Sequence, residues 1–383
     1  MSRARPAASD RRIAFVLPSL SGGGAERAAL NLAAAAPRSR CTVLVELQEG
    51  ELEKDLAASG VVVVTGRTKG QSRLRRTLLI ARALKRIRPD LVVSLLSPLV
   101  PTLASSLKGV PAMHWLQAPW SRTTATTGSG PTAKAHRATI RLSARRCAMI
   151  AAVSPGLLEE CRALGIPDSK LALLPNGLLL PPPPVEARGS RRDGMRRIVT
   201  VGRLDPPKRH DLLIESMATL NAERPTVLTI VGSGSCEEAL RARVQALGLE
   251  SQIEFAGFLA DPTEQIRSAD VFVLMTEYEG FGNVIVEALA CGTPVVVSDV
   301  PYGPRFILDS VPGATLVKSD SAKELADTIL ATLRKGGPTE REREAARARA
   351  EAFSVEAVAL RFEELVDEIL GAPRRVRSLT AWP

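Results

Sequence analysis

Two glutamates in the stretch EYEGFGNVIVEALACG, Glu279 and Glu287, flank the turn Gly280-Phe281-Gly282-Asn283, which opens a helical pattern. Gly280 and Gly282 carry no side chains, so the backbone N–H groups of the turn can approach an anion where the helix dipole favours negative charge. Glu287 then falls one helical turn beyond Asn283 on the same face. A carboxylate there can accept two ribose hydroxyls, and Glu279 can face a sugar hydroxyl on the far side of the phosphates. The plainer alternative makes Glu279 a complement to the helix dipole and Glu287 an ordinary helix residue.

Three other stretches could serve the same anion. In VTVGRLDPPKRHDLLIESM, Arg203 and Lys208 flank a Pro-Pro turn at a helix start, where two cations can clamp a phosphate or diphosphate; a surface loop with two basic residues is an equally good reading of that stretch alone. VGSGSCEEAL, with Gly232, is a second glycine-rich strand-to-helix turn. LPSLSGGGAERAALNLAAAA, with Gly22, Gly23 and Gly24, is a third, but it is not G-x-G-x-x-G and no acidic residue ends the next strand in the dinucleotide manner.

The elements that must position these residues show a repeating rhythm. IAFVLP, CTVLVEL, VVVVTG, LVVSLL and PAMHWL are apolar runs of strand length, each followed by a helical pattern, as in a parallel sheet covered on both faces. The rhythm stops at NGLLLPPPPVEARGSRRDG and resumes with RIVTVG, TVLTIVG, QIEFAG, DVFVLM and TPVVVSD. The expected fold class is α/β, with two Rossmann-like doubly wound domains in series: a first domain over 1–176, a linker over 177–194 and a second domain over 195–352. Residues 353–371 read as an amphipathic helix packing back toward the first domain, and 372–383 as a loosely ordered tail.

Composition narrows the partners. The 383 residues carry a formal net charge of +10, concentrated in RTKGQSRLRRTLLIARALKRIRP and AKAHRATIRLSARRC. Aromatic residues are only 3% of the chain and no recognition helix, zinc finger or RNA-binding signature interleaves with the basic runs, so nucleic acid is not expected as a partner. An anionic membrane surface suits such helices better, and a simply solvated basic face suits them as well. The five cysteines show no paired or metal-ligand spacing, and no apolar run is long enough to span a bilayer. IAFVLP is too short for a signal peptide, so a cytoplasmic protein, peripheral at most on the inner face of the membrane, is expected.

Taken together, GGGAERAALNLA, VSPGLLEEC, LLPNG, VGRLDPPKRHDLLIESM, IVGSGSCEEALRARVQALGL, IEFAGFLAD and the Glu279–Glu287 stretch followed by ALACGTPVVVSD resemble the retaining glycosyltransferases of family 4, over nearly the whole chain. The resemblance implies the GT-B fold, two Rossmann-like domains facing across a cleft, with 1–176 on the acceptor side and 195–352 binding the nucleotide-sugar. It places Glu287 on the ribose of a nucleotide-sugar, Arg203 and Lys208 on its diphosphate, and the Gly280, Phe281, Gly282 and Asn283 backbone on the phosphates and donor sugar. Glu279 would contact the donor sugar, Gly22 and Gly23 would close on the diphosphate, Gly232 would line the donor site, and His114, taken as a strand-end residue, would stand beside donor sugar and acceptor. SDVPYGPRFILDS is similar to a subgroup acting on surface polysaccharides or lipid-linked oligosaccharides, except that Phe306 replaces its usual glutamate.

The implied reaction is retaining transfer of a hexosyl or N-acetylhexosaminyl group from a nucleotide-sugar, expected to be UDP-linked, to a glycan or lipid-linked acceptor in lipopolysaccharide or other surface-polysaccharide synthesis. No cofactor and no metal is expected, and the chain contains no Asp-x-Asp. A sugar-nucleotide hydrolase or epimerase on the same fold, or a non-catalytic glycan-binding protein, are the competing readings.

Overall fold

The computed structural model describes residues 11–20, 23–48, 62–65, 71–95, 99–121, 131–183, 194–318, 320–371 and 379–382. They form two compact units: Met1–Leu179 with Phe353–Pro383, and Leu180–Ala352.

The first unit holds a seven-stranded parallel sheet made of β1 (Arg11–Ser19), β2 (Ser39–Gln48), β3 (Val62–Thr65), β4 (Leu91–Leu95), β5 (Ala112–Leu116), β6 (Met149–Ala152) and β7 (Leu171–Leu173), in the order β3-β2-β1-β4-β5-β6-β7. Strands such as Ala14–Leu17 and Leu91–Leu95 are buried on both faces, which is why they read as continuous apolar runs rather than alternating ones. Helices α1 (Gly24–Ala35), α2 (Arg73–Ile87), α3 (Leu99–Ser106), α4 (Pro131–Arg146) and α5 (Pro155–Ala163) provide the crossovers among the described residues.

The second unit repeats the plan with six parallel strands: β8 (Arg196–Val201), β9 (Thr226–Val231), β10 (Ile253–Gly257), β11 (Val271–Leu274), β12 (Val295–Ser298) and β13 (Thr315–Val317), ordered β10-β9-β8-β11-β12-β13. Its helices are α6 (His210–Glu223), α7 (Glu237–Ala246), α8 (Thr263–Ser268), α9 (Asn283–Ala290), α10 (Gly303–Leu308), α11 (Ala322–Arg334) and α12 (Glu340–Glu351). Leu212, Met217, Leu228, Ile230, Val273 and Ile329 form part of one continuous core between sheet and helices. In both sheets the strand order reverses beside the first strand, between β1 and β4 and between β8 and β11. Ligands of open α/β sheets bind at the carboxyl ends beside such a reversal.

The last helix, α13 (Val355–Leu370), belongs to the first unit although it follows the second in sequence. Phe362 packs 5.6 Å from Phe15, and the fully buried Glu363 accepts hydrogen bonds from the Arg38 amide at 3.0 Å and the Ser39 hydroxyl at 3.1 Å. Arg11 pairs with Asp367 beside it. Leu178 completes the junction by pairing with the chain just before α13: its N–H donates to the Phe353 carbonyl, and its carbonyl accepts from Val355.

Two details differ from the sequence reading. MIAA, LAL and TLV also form strands, β6, β7 and β13, each paired with a neighbouring strand. The end of the tail is docked rather than loose. The Leu379 carbonyl accepts from the Leu173 amide and from Arg361, each at 2.8 Å, and Trp382 stacks on Phe353 at 6.0 Å. The linker residues 184–193 lie outside the described residues.

Candidate functional site

At the carboxyl edge of the second sheet, backbone hydrogen bonds join four separate loops. The Gly202 amide donates to Val231, the Leu204 amide to Ser233, and the Gly232 amide to Gly257, at 3.0, 2.9 and 2.7 Å. The Pro207 carbonyl accepts from the Glu277 amide at 2.9 Å and from the Thr276 hydroxyl at 3.1 Å, tying the loop after β8 to the loop after β11. Gly303, first in α10, donates to the Glu279 carbonyl at 3.2 Å. Loops fixed to one another in this way can hold side chains in place without a ligand.

Glycine makes the close approaches possible. Gly232 has φ +141° and lies so near the Gly202 carbonyl that any Cβ would collide with it; a Cβ on Gly303 would collide with the Phe281 carbonyl. Gly282, at φ 103°, is the N-cap of α9 and turns the chain into the helix that carries Asn283 and, one turn on, the partly buried Glu287. Gly280 and Phe281 are buried within the turn.

The charged residues converge here. Lys208, the last residue of a 3-10 turn over Pro206–Lys208, makes an ion pair with Glu279 in which both side chains are mostly buried. The two residues that the resemblance assigned to diphosphate and sugar therefore pair with each other. Arg203 is 77% exposed and its guanidinium meets Asp205 at 2.7 Å. Asp205 in turn accepts from the Ser235 amide at 3.2 Å and hydroxyl at 2.9 Å. Burial would raise the Asp205 carboxyl, but the Ser235 bonds and the Arg203 charge outweigh it and hold the group below the usual carboxylate range.

Sequence reasoning missed Asp205, Ser235 and His210. His210 opens α6, is 3% exposed and places Nε2 3.2 Å from the Arg203 carbonyl; burial pushes its pKa down to about 4, against that hydrogen bond. A neutral imidazole donating to that carbonyl fixes the loop that carries Arg203. The signal was in the sequence, a histidine directly after Lys208-Arg209, but its partner is a backbone atom that no residue type reveals.

The first unit places its residues differently. Gly22 lies outside the described residues. Gly23 is the N-cap of α1 with ordinary extended geometry, and a Cβ there would meet the carboxylate of the buried Glu26, which also accepts from the Ser19 hydroxyl at 3.2 Å. A negative side chain thus already sits in the first turn of α1.

His114 is not at a strand end. It is the middle residue of β5, paired with Ser94 on one side and Ile150 on the other, and is 1% exposed. Its Nδ1 lies 3.1 Å from both the hydroxyl and the carbonyl of Ser94, and its ring stacks on Trp120 at 5.8 Å. Desolvation lowers its pKa to about 4 against the Ser94 carbonyl bond, so the ring is neutral. The apolar residues around it made PAMHWL read as a strand ending at Leu116, as it does; the register then puts His114 two residues short of the edge and Gln117 on it.

Phe306, where the resembling subgroup has glutamate, lies under the Arg349 guanidinium at 5.3 Å, and its carbonyl accepts from the same side chain at 2.6 Å. A cation–π contact stands where an acid would make an ion pair. The contact is on α10, which also supplies the Gly303 anchor of the glutamate turn.

Residues 186–351 match the family described as glycosyl transferases group 1, and residues 22–178 match glycosyltransferase family 4. The chain is 31% identical over 156 residues, 41% of its length and 42% of the relative's, to the N-acetylgalactosamine-N,N'-diacetylbacillosaminyl-diphospho-undecaprenol 4-alpha-N-acetylgalactosaminyltransferase of Campylobacter jejuni subsp. jejuni. The matched stretch spans less than half of that relative. Among solved structures, the Anabaena protein HepE in complex with UDP-glucose superposes with a TM-score of 0.76 at 20% identity, covering 93% of this chain and 99% of that one. The apo lipopolysaccharide outer core galactosyltransferase WaaB superposes at 0.70 and 19% identity, covering 93% and 99%. With both family matches in sequence order, one on each sheet, and the paired glutamates on the second, the chain belongs to the family 4 glycosyltransferases of GT-B fold.

Proposed function

We propose that this protein transfers a sugar from a UDP-linked donor to a hydroxyl of a glycan or lipid-linked acceptor, with retention at the anomeric carbon, in the synthesis of lipopolysaccharide or another surface polysaccharide. The observation that carries the reading is the Lys208–Glu279 pair beside the glycine turn of α9, with Arg203 on the adjoining loop. It offers cations for a diphosphate, and carboxylates at Glu279 and Glu287 for the hydroxyls on either side of it. The UDP and UDP-glucose complexes of HepE and the undecaprenol-linked substrate named for the Campylobacter relative support the donor and acceptor classes.

In this reading the acceptor oxygen bonds to the anomeric carbon on the face that the diphosphate leaves. The anomeric carbon–oxygen bond to phosphate breaks, and the departing phosphate oxygen takes the acceptor's proton. Arg203, Lys208 and the turn amides stabilise the charge that develops on the diphosphate, so the catalysis is positioning and electrostatics. Side-chain cations fill the role a divalent metal plays elsewhere, so EDTA should leave the rate unchanged.

The acceptor class bears on the surface of the first unit. Leu74 on α2 is 72% exposed and Leu78, one turn on, 46%; Arg73, Arg75, Arg82, Lys85 and Arg86 of the same helix are exposed and α2 contains no acidic residue. Leucines flanked by cations suit an interface with anionic lipid, which would bring the enzyme to a membrane-held acceptor. No helix among the described residues is long and apolar enough to cross a membrane.

Incubation with a panel of UDP-, GDP- and ADP-sugars, followed by acceptor-dependent nucleoside diphosphate release with lipid extracts, tests the reading. Release that needs an acceptor and yields an α-linked product from an α-linked donor is expected. Release without acceptor would identify a hydrolase, and no binding of any sugar nucleotide would refute the assignment.

A further inference from the structure

A cleft opens at the amino edge of the second unit's sheet, on the side away from the loops that carry Arg203 and Glu279. Thr293, Pro294 and Val295 lead into β12 there and Val311–Ala314 lead into β13, while the end of α11 and the first turns of α12 close the sides. Its empty space is about 470 Å³ with the open mouth included, within the size range of small-ligand clefts, about 300–1,000 Å³. Helix α9 reaches from one edge to the other. Asn283 opens it at the glycine turn, and Leu289 and Gly292 line the cleft, about 12 Å away by helix rise.

The floor of the cleft is apolar and its rim is charged. Leu289, Val295, Val311 and Ala346 are buried there. The hydroxyls of the floor are already engaged, because Thr293 donates to the Ile266 carbonyl at 2.9 Å and Thr332 to the Thr328 carbonyl at 3.0 Å. On the rim, Glu342 accepts from the Thr339 amide and hydroxyl at 2.7 and 2.8 Å, and Arg343 donates to Glu340 and to the Pro338 carbonyl, each at 2.6 Å. Lys335 differs from both: its side chain is exposed and makes no hydrogen bond or ion pair among the described residues. Its three ammonium donors are available to a ligand.

These two properties select an occupant. A buried floor with its polar atoms engaged suits a hydrocarbon, and one available ammonium suits one negative charge. A phosphate dianion would find a single cation, with the Glu342 carboxylate on the same rim to repel it. We propose that this cleft is a second ligand site, for a small amphiphilic monocarboxylate whose short alkyl chain lies on Leu289, Val295 and Ala346 and whose carboxylate meets Lys335. The site does not depend on the transferase reading.

Saturation-transfer NMR titrations with hexanoate and with its neutral counterpart 1-hexanol, on wild-type protein, Lys335→Met and Ala346→Leu, test it. Wild type should bind hexanoate, and excess UDP should leave that signal in place because the donor loops lie at the opposite edge. Hexanoate affinity should fall about three- to fivefold in Lys335→Met, the scale of an exposed ion pair, and should weaken with salt. Hexanol should bind wild type and Lys335→Met equally. Ala346→Leu fills the floor and should abolish binding of both probes; if that variant does not fold, the Lys335→Met and hexanol comparisons decide alone. No hexanoate binding to wild type, equal affinity of hexanoate and hexanol, no change in Lys335→Met, or displacement of hexanoate by UDP would each overturn the site, the last by placing the carboxylate at the donor loops instead.

Discussion

After β8 and β11 of the second unit come Arg203, Lys208 and Glu279, charged, partly exposed and held by glycine-lined loops. After β5 and β6 of the first unit come Gln117 and Ser154, neutral and buried, each with one polar atom that has no partner among the described residues. The two sheets share one strand plan, so the plan does not decide what an edge binds. Charge with mutual pairing suits a ligand that brings its own strong charge and can displace a partner, whereas the buried neutral edge offers no such charge.

The largest break in this comparison should come from Lys208→Ala. It removes a cation whose phosphate partner gains charge as the bond to sugar breaks, so kcat should fall about 10²–10³-fold, the scale of losing one preorganised donor to a developing anion. Affinity for UDP should fall less than kcat does. A rise in KM alone would show that Lys208 serves only ground-state binding.

Backbone substitutions sharpen it next. Gly232→Ala forces a Cβ against the Gly202 carbonyl at φ +141°, so the joined loops must separate; a loss of about 2–4 kcal/mol in chemical denaturation is expected, together with loss of UDP binding. Gly23→Ala in the first unit meets only the movable Glu26 carboxylate and keeps an ordinary extended φ, so its cost should stay within about 1 kcal/mol. Equal losses would mean that close backbone approach is not what distinguishes the two edges.

Much of this arrangement was legible from the residues. Glycines where chain must pass chain, a helix opened at Asn283 and cations around Pro-Pro are all local signals, and the strands they follow are apolar runs. What escaped was whatever depends on register or on a partner distant in sequence. His114 and Gln117 are three residues apart in one apolar run, and only the pairing of β5 with β4 and β6 shows which of them reaches the edge. Lys208 and Glu279 are 71 positions apart, and Asp205 and Ser235 are 30, so no spacing rule joins them.

The two glutamates separate at the next scale. Glu287→Gln should weaken UDP and the intact donor alike by about 1–3 kcal/mol, because a ribose is present in both and a charge-assisted hydrogen bond is lost. Glu279→Gln should cut transfer, yet UDP should bind as well as before or better, because Lys208 loses the carboxylate that competes with phosphate for it. Calorimetry with UDP on both variants decides, and equal weakening would end the division of roles between them.

The smallest effect is one the two units should share, which makes it a control on the others. Each has a buried neutral histidine, His114 in the first and His210 in the second, with pKa lowered from 6.5 to about 4 by burial. The unfolded chain takes up a proton near pH 6.5 that the native rings refuse until about pH 4. Stability from each group is therefore complete above about pH 7 and lost as pH falls between those two values, by up to about 1.4 kcal/mol per pH unit per histidine. Replacing either ring by a neutral side chain, His114→Asn or His210→Asn, lowers stability at pH 7.5 by removing the Ser94 or Arg203 contact, but should flatten the fall toward pH 5. Denaturation midpoints measured at half-unit steps from pH 7.5 to 5 on wild type and both variants read this directly. Because no catalytic charge is involved, the two slopes should change alike although the two edges differ in everything else. A flattened slope in His210→Asn but not in His114→Asn would mean that the ring in β5 takes a proton in the native state.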